Sequence, residues 1–244
     1  MDANLVLTRA YGVCTLGSGV MVKKISYCLH SIYRTVVKVI LQLNYDFQTW
    51  QEEPLPPGPK LFCSNHFSSS DVHFVTTLMK DPLHVVIGPG FGIPVIGNFL
   101  GWTEQIRALT PEDRKIVVQK SASYLEQGDS VYIFPEGELN TQSQLAMFRP
   151  GVARIYLEKP VPIVPIGLLA PRRRVKDKRS KTAGRSMTVV SRNYYANIGK
   201  PMEFPQAIEL AKTDRKKAEQ MICSLLTVEV SRLIEEIKTD KFWS

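Results

Sequence analysis

The spacing of apolar residues divides the chain into unlike regions. From Lys23 to Leu43, Ile25, Leu29, Ile32, Val36, Val39, Ile40 and Leu43 recur at helical intervals, while Lys23, Lys24, His30, Ser31, Arg34, Thr35, Lys38 and Gln42 fill much of the remainder. The pattern predicts a basic amphipathic helix. Its stripe either packs on the domain's own core or lies in a bilayer interface, and this segment alone leaves both readings open. No run of about eighteen uninterrupted apolar residues occurs, so a spanning helix is not expected.

Between Glu53 and Lys60, four prolines (Pro54, Pro56, Pro57, Pro59) and Gly58 rule out a helix and read as a linker. Beyond it, short apolar runs alternate with helical patterns. Strands are predicted at Leu61–Ser64, Val85–Ile87, Ser130–Phe134, Ile163–Leu169 and Met187–Val190, and helices at Val72–Met79, Asp113–Gln127 and Val152–Glu158. A final helix is predicted from about Asp214 to Lys238, with Met221, Leu225, Val228, Leu233 and Ile237 as its buried stripe. This order predicts an α/β fold: a mixed, largely parallel sheet flanked by helices, with an N-terminal amphipathic helical segment. The expected organisation is a helical membrane-docking segment over 1–53 and an α/β domain over 54–244.

Composition changes this picture in one respect. With 44% hydrophobic and 22% charged residues the chain is an ordinary globular protein, but its net charge of +8 points to a polyanionic partner. Arg172, Arg173, Arg174, Lys176, Lys178, Arg179, Lys181 and Arg185 crowd one segment, opposed only by Asp177. A solvated loop and an anionic membrane contact are both open readings of it. Nucleic acid is not the expected partner, because no recognition helix or stacking-aromatic motif accompanies the tract. Cys14, Cys28, Cys63 and Cys223 lack zinc-site spacing and read as free thiols, and no metal ligand set is found. The N-terminus lacks the order of a cleaved signal and is expected to be retained.

The candidate chemistry lies in Asn65-His66-Phe67-Ser68-Ser69-Ser70-Asp71, directly after the first predicted strand. On one regular helix, residues five apart are separated by about 140° and would not meet. They meet if His66 sits in a strand-exit loop and Asp71 enters the next helix in its first turn, capped by Ser69 or Ser70. The carboxylate would then fix the imidazole tautomer and leave the other nitrogen free to accept a hydroxyl proton. No G-x-S-x-G elbow supplies a protein nucleophile, so the simpler assignment is a hydroxyl belonging to the substrate. His30, His73 and His84 stand apart and read as structural.

Asn-His-x-x-x-x-Asp after a short strand resembles the first block of the 1-acylglycerol-3-phosphate and glycerol-3-phosphate acyltransferase superfamily. Gly97, Gly101 and Ile106-Arg107 are similar to a weak second block, Phe134-Pro135-Glu136-Gly137 to the third, and Val161-Pro162-Ile163-Val164-Pro165 to the fourth. Phe148-Arg149-Pro150-Gly151 also fits the family.

The resemblance implies a general base at His66 with Asp71 as its partner. It also implies an acceptor site at Phe134, Pro135, Glu136 and Gly137, with Arg107 as the phosphate ligand; Arg149 and the later basic tract are alternative sources of that cation. The implied reaction moves an acyl group from acyl-CoA or an acyl-carrier protein, the co-substrate, to a lysophospholipid hydroxyl, with 1-acylglycerol-3-phosphate as the expected acceptor. No organic cofactor is expected. The implied location is a membrane surface, peripheral or monotopic, on the cytoplasmic face, with Lys23, Lys24, Ile25, Leu29, Ile32, Val36, Ile40, Arg172, Arg173 and Arg174 as the docking residues. One departure bears on the acceptor. The family's third block commonly continues Thr-Arg-Ser, whereas Glu138, Leu139 and Asn140 follow here. This departure leaves a non-phosphate alcohol or glycolipid acceptor open, and a catalytically silent lipid-binding protein is a further alternative.

Overall fold

The computed structural model describes residues 16–79, 82–140, 144–170, 174–180 and 184–241. A long helix α1 (Leu16–Asn44) leads into strand β1 (Asp46–Gln51) and then, after the proline-rich stretch, into β2 (Leu61–Ser64). The chain continues through α2 (Asp71–Leu78), β3 (Leu83–Ile87), α3 (Pro94–Trp102), β4 (Ile106–Arg107), α4 (Pro111–Glu126), β5 (Ser130–Ile133), α5 (Gly151–Glu158) and β6 (Ile163–Leu169). A hairpin of β7 (Arg174–Ser180) and β8 (Gly184–Val190) precedes β9 (Asn193–Ile198), α6 (Pro205–Ala211) and α7 (Arg215–Glu236).

Seven strands form one sheet in the order β1-β9-β6-β2-β5-β3-β4. β6, β2, β5, β3 and β4 are mutually parallel, β9 pairs antiparallel with β6, and β1 runs parallel to β9. The sheet is therefore mixed and largely parallel. β2 is buried along its whole length, as a central strand covered on both faces must be. Period-two alternation sends Leu61 and Cys63 to one face, with α4, α5, α6 and α7, and Phe62 to the other, with α1 and α2. Gly167 lets α7 seat directly on β6, since a Cβ there would lie 2.8 Å from Leu233 Cβ.

The observed elements differ from those predicted in three instructive places. The segment before Pro54 is not wholly helical: β1 joins the main sheet, so the expected division at 53/54 falls between two strands of one sheet. As an edge strand with only Phe47 and Trp50 half-buried, β1 carries no apolar alternation to announce it. The basic tract is not simply a loop, because Arg174–Ser180 pairs in register with Gly184–Val190. Arg172 and Arg173 lie outside the described residues, as do the side chains of Lys23, Lys24 and Arg174. In α7 the buried stripe is Ala218, Ile222, Leu226, Val230 and Leu233, while Leu225 and Val228 are exposed.

The amphipathic helix is oriented outward. Ser26, His30, Val37 and Leu41 face the domain, whereas Ile25, Ile32, Val36, Val39, Ile40 and Leu43 are at least half exposed. At about 100° per residue the exposed aliphatics fall within one arc of roughly 100°. Packing on the protein's own core is thus not what the stripe does. No helix among the described residues is long and apolar enough to cross a membrane.

Candidate active site

The parallel strands all end on one edge of the sheet, and the chain leaves that edge in opposite directions around β2. From β2 it crosses β5 to reach β3, and from β5 it crosses β2 to reach β6. Such a reversal opens a crevice at the carboxyl ends of the strands. Asn65 braces one side of it, because its side chain donates to the Leu168 carbonyl at 2.9 Å and accepts from the Leu168 N–H at 2.8 Å. His66 leaves β2 at this point.

Asp71 is the first residue of α2 and is fully buried, while His66 keeps 17% of its side chain exposed. His66 Nδ1 lies 2.9 Å from Asp71 Oδ2. The same oxygen accepts the backbone N–H groups of Phe67 and Ser68, both at 2.9 Å. Tyr194 donates its hydroxyl to Oδ1 at 2.6 Å. Four donors converge on one carboxylate, which is the condition for a buried charge to persist. They also fix the tautomer: Nδ1 carries the proton and Nε2 is left as an acceptor. Ser70 occupies the cap position of α2 but makes no capping bond; its hydroxyl meets that of Ser68 at 2.7 Å.

Phe134 stacks on the imidazole with ring centroids 4.0 Å apart and planes 20° from parallel. Pro135 ends the ladder, and its carbonyl accepts from the Arg149 N–H at 2.8 Å. Glu136 is turned inward rather than offered to solvent, with 3% of its surface exposed. Its Oε1 accepts the His66 N–H at 2.8 Å, and its Oε2 accepts from Asn140 Nδ2 at 2.6 Å and the Ala146 N–H at 3.2 Å. The Asn140 N–H returns to the His66 carbonyl at 2.7 Å. Glu136 and Asn140 therefore hold the His66 backbone from both sides. Gly137 has φ of 73°, so the turn needs glycine, and a Cβ there would sit 2.9 Å from Arg149 Cδ and displace that side chain.

Arg149 lies against this turn with its guanidinium on Glu138 at 2.6 Å, both side chains being exposed. Arg107 lies elsewhere. It ends β4, three strands from β2 and so about 14 Å across the sheet, with its Nε bonded to Asp113 at 3.0 Å. The structure brings together His66, Asp71, Phe134, Pro135, Glu136, Gly137 and Arg149, and leaves Arg107 at the rim.

No protein nucleophile competes for Nε2: among the described residues, no serine or cysteine side chain bonds to His66. Burial pushes the Cys63 thiol far above its usual range and the Cys223 thiol up to about 11. His73 gives its ring to Tyr33 of α1, while His30 and His84 bond the backbone carbonyls of Thr103 and Glu104. Among the described residues, no cluster of three His, Cys, Asp or Glu side chains could hold a metal.

The acyltransferase family model matches residues 47–169, half of the chain. This chain belongs to the acyltransferase family. The match contains the complete His66–Asp71 and Glu136–Gly137 arrangement of this acyltransferase-family chain. It is 28% identical over 127 residues to a chloroplastic 1-acyl-sn-glycerol-3-phosphate acyltransferase of Brassica napus, covering 51% of this chain and 37% of that protein. A protein of the same description from Arabidopsis thaliana is 27% identical over 119 residues, covering 48% of this chain and 33% of the relative. The chain thus spans about a third of the length of the curated relatives it matches. The fold is similar to the crystal structure of the 1-acyl-sn-glycerophosphate acyltransferase of Thermotoga maritima, with a TM-score of 0.60, 15% identity, and coverage of 97% of this chain and 88% of that one.

Tyr194 is the residue that spacing could not supply. It lies on β9, 123 positions from Asp71, stacked on Phe74 at 3.5 Å. Burial, and then the neighbouring Asp71 charge, push its pKa well above the usual phenol value, so it remains a donor. Tyr194→Phe keeps the stack and removes one of the four donors. The expected result is a loss of about 1–3 kcal/mol of unfolding free energy, read from urea titration, because Oδ1 is left buried without its partner. An unchanged midpoint and slope would show that the hydroxyl does not support the carboxylate.

Proposed function

We propose that the protein transfers an acyl group from a thioester to the free hydroxyl of 1-acylglycerol-3-phosphate at a membrane surface, on the cytoplasmic face. The observation that carries this reading is His66 itself, with Nδ1 tied to a buried, four-donor carboxylate and Nε2 left open in the crevice. The acceptor hydroxyl attacks the thioester carbonyl while Nε2 takes its proton. The resulting imidazolium is held by ionised Asp71. When the tetrahedral intermediate collapses, the C–S bond breaks and the proton passes from Nε2 to the departing thiolate. No acyl-enzyme forms. His66→Ala is expected to lower kcat by about 10²- to 10⁴-fold in a labelled acyl-CoA and lysolipid assay, with a stability loss comparable to that of Tyr194→Phe, since Asp71 again loses one donor, and the fold retained at the assay temperature. Wild-type turnover by the folded variant would overturn the mechanism.

For the acceptor phosphate, contact with Gly137 favours Arg149, which would exchange Glu138 for the ligand. Arginine grips phosphate through paired charge-assisted bonds. Arg149→Ala is expected to raise the KM for a phosphorylated acceptor by roughly ten- to a hundredfold, while Arg107→Ala changes it by less than about threefold. The reverse ranking would move the phosphate to the β4 rim, and a preference of all forms for an uncharged alcohol would change the acceptor class.

The membrane reading rests on the outward aliphatic stripe of α1. Ring contact between Tyr33 and Phe99 joins α1 to α3, whose Val95, Ile96 and Trp102 are also exposed. An aromatic at the margin of an aliphatic surface suits the headgroup level of a bilayer. The double variant Val36→Asp/Ile40→Asp removes two side chains that are half exposed, so folding is expected to survive. Flotation with anionic vesicles should fall by at least about tenfold, since two apolar groups are lost and two like charges meet the surface. Undiminished flotation would transfer docking to another surface.

A further inference from the structure

On the face of the sheet opposite α1, helices α4, α5 and α7 border an open surface groove of about 470 Å³ lined by Pro111, Arg114, Lys115, Val118, Arg154 and Arg215, with Glu158 as its acidic member. That size lies within the range of small-molecule and cofactor sites. Its cations are arranged rather than scattered. Glu219 of α7, buried against α5, accepts from Arg154 Nε at 3.1 Å on both oxygens and stands 3.5 Å from Arg215 Nε. Glu158 stands 3.9 Å from the Arg215 guanidinium. Arg114 and Lys115 have no carboxylate partner among the described residues, so the groove keeps two positive charges in excess. Pro111 and Val118 give it an apolar wall.

The groove is joined to the crevice along α5. Arg149, against Gly137, lies two residues before α5 begins at Gly151, and Arg154 stands three residues into that helix, about 4.5 Å along its axis. A ligand with its anionic end at Arg114, Lys115 and Arg154 and a long flexible arm running past Gly151 would bring a terminal thioester to His66. We infer that this groove is the subsite for the nucleotide phosphates of a coenzyme A thioester, an assignment that rests on the acyl-transfer reading. Coenzyme A fits its features separately: phosphates for the paired guanidiniums and the lysine, a purine for the apolar wall, and an extended thiol arm for the path to His66. A soluble donor also belongs on the face turned away from the aliphatic stripe.

Arg114→Ala/Lys115→Ala tests the assignment, both side chains being exposed and free of core packing. Three donors are compared with wild type and variant: an acyl-CoA, the same acyl group on an acyl-carrier protein, and an acyl N-acetylcysteamine thioester, which has no nucleotide. Free coenzyme A is titrated calorimetrically in parallel. The expected result is a rise of about tenfold or more in KM for acyl-CoA and an equal weakening of coenzyme A binding, with the loss confined to the donor that carries a nucleotide. Unchanged coenzyme A affinity and unchanged KM overturn the inference while the transfer reaction stands. A rise only for the carrier-protein donor overturns it in favour of a protein partner. If wild type binds coenzyme A, the double variant loses that binding and neither form transfers an acyl group, the subsite stands and the proposed reaction falls.

Discussion

A single buried carboxylate sets the terms for the rest of the site. Asp71 has no exposed surface, and a charge so placed is tolerated only where several donors replace water. Satisfying it recruits the backbone at Phe67 and Ser68, the imidazole of His66, and Tyr194 from a strand that runs against its neighbour β6. Reaching Asp71 requires β9 to lie beside β6 with Tyr194 facing α2. The aromatic packing of Phe47, Phe67 and Phe74 around Tyr194 stabilises that placement. The orientation of one histidine is therefore a property of the whole α1–α2 side of the domain, although His66 and Asp71 are close in sequence.

A second carboxylate works on the backbone in the same way. Glu136 receives the His66 N–H, the Asn140 side chain and the Ala146 N–H, joining the end of β2 to the loop after β5. In sequence, the Phe-Pro-Glu-Gly run looks like a loop that presents a carboxylate to a ligand. Folded, the carboxylate faces inward and Gly137 faces Arg149. The unusual Asn140 also acquires a role: it closes the loop on both the carbonyl of His66 and the carboxylate of Glu136.

The parts of the fold legible in the sequence are those whose physics is local. Buried parallel strands appear as short unbroken apolar runs, and β2, β5 and β6 lie where those runs lie. The His66–Asp71 pairing was legible for the same reason, since a strand exit followed by a helix start brings residues five apart into contact. What stayed hidden depends on distant partners. β1 and β9 carry weak alternation and owe their place to each other, Tyr194 reaches Asp71 only through antiparallel pairing, and α7 buries Ile222, Leu226 and Val230 because β6 presents Gly167. Helical spacing marked α1 as amphipathic but not which face meets the protein.

That last point has a physical resolution in how α1 is held. Its contacts to the domain are directional and polar as well as apolar: Tyr27 to Asp129, His30 to the Thr103 carbonyl, Tyr33 to His73, and Arg34 to the Met79 carbonyl, beside Val37 and Leu41. Burial, with the nearby His84 adding to it, lowers the His30 pKa to about 4, so the ring docks neutral near pH 7. Because hydrogen bonds share the task of fixing the helix, its larger aliphatic arc is not consumed in folding. Aliphatic surface left in water forgoes about 25 cal/mol for every Å² that could be covered, and six such side chains in one stripe make that cost substantial. Under the proposed membrane docking, a bilayer would recover it without disturbing the polar contacts. The carboxyl end of α1 leads directly into β1, whose first residue pairs with the start of β9 beside Tyr194. The helix that would rest on lipid is thus tied through two strands to the residue that steadies Asp71, and such docking would set the height of the His66 crevice relative to the surface from which a lipid acceptor would come.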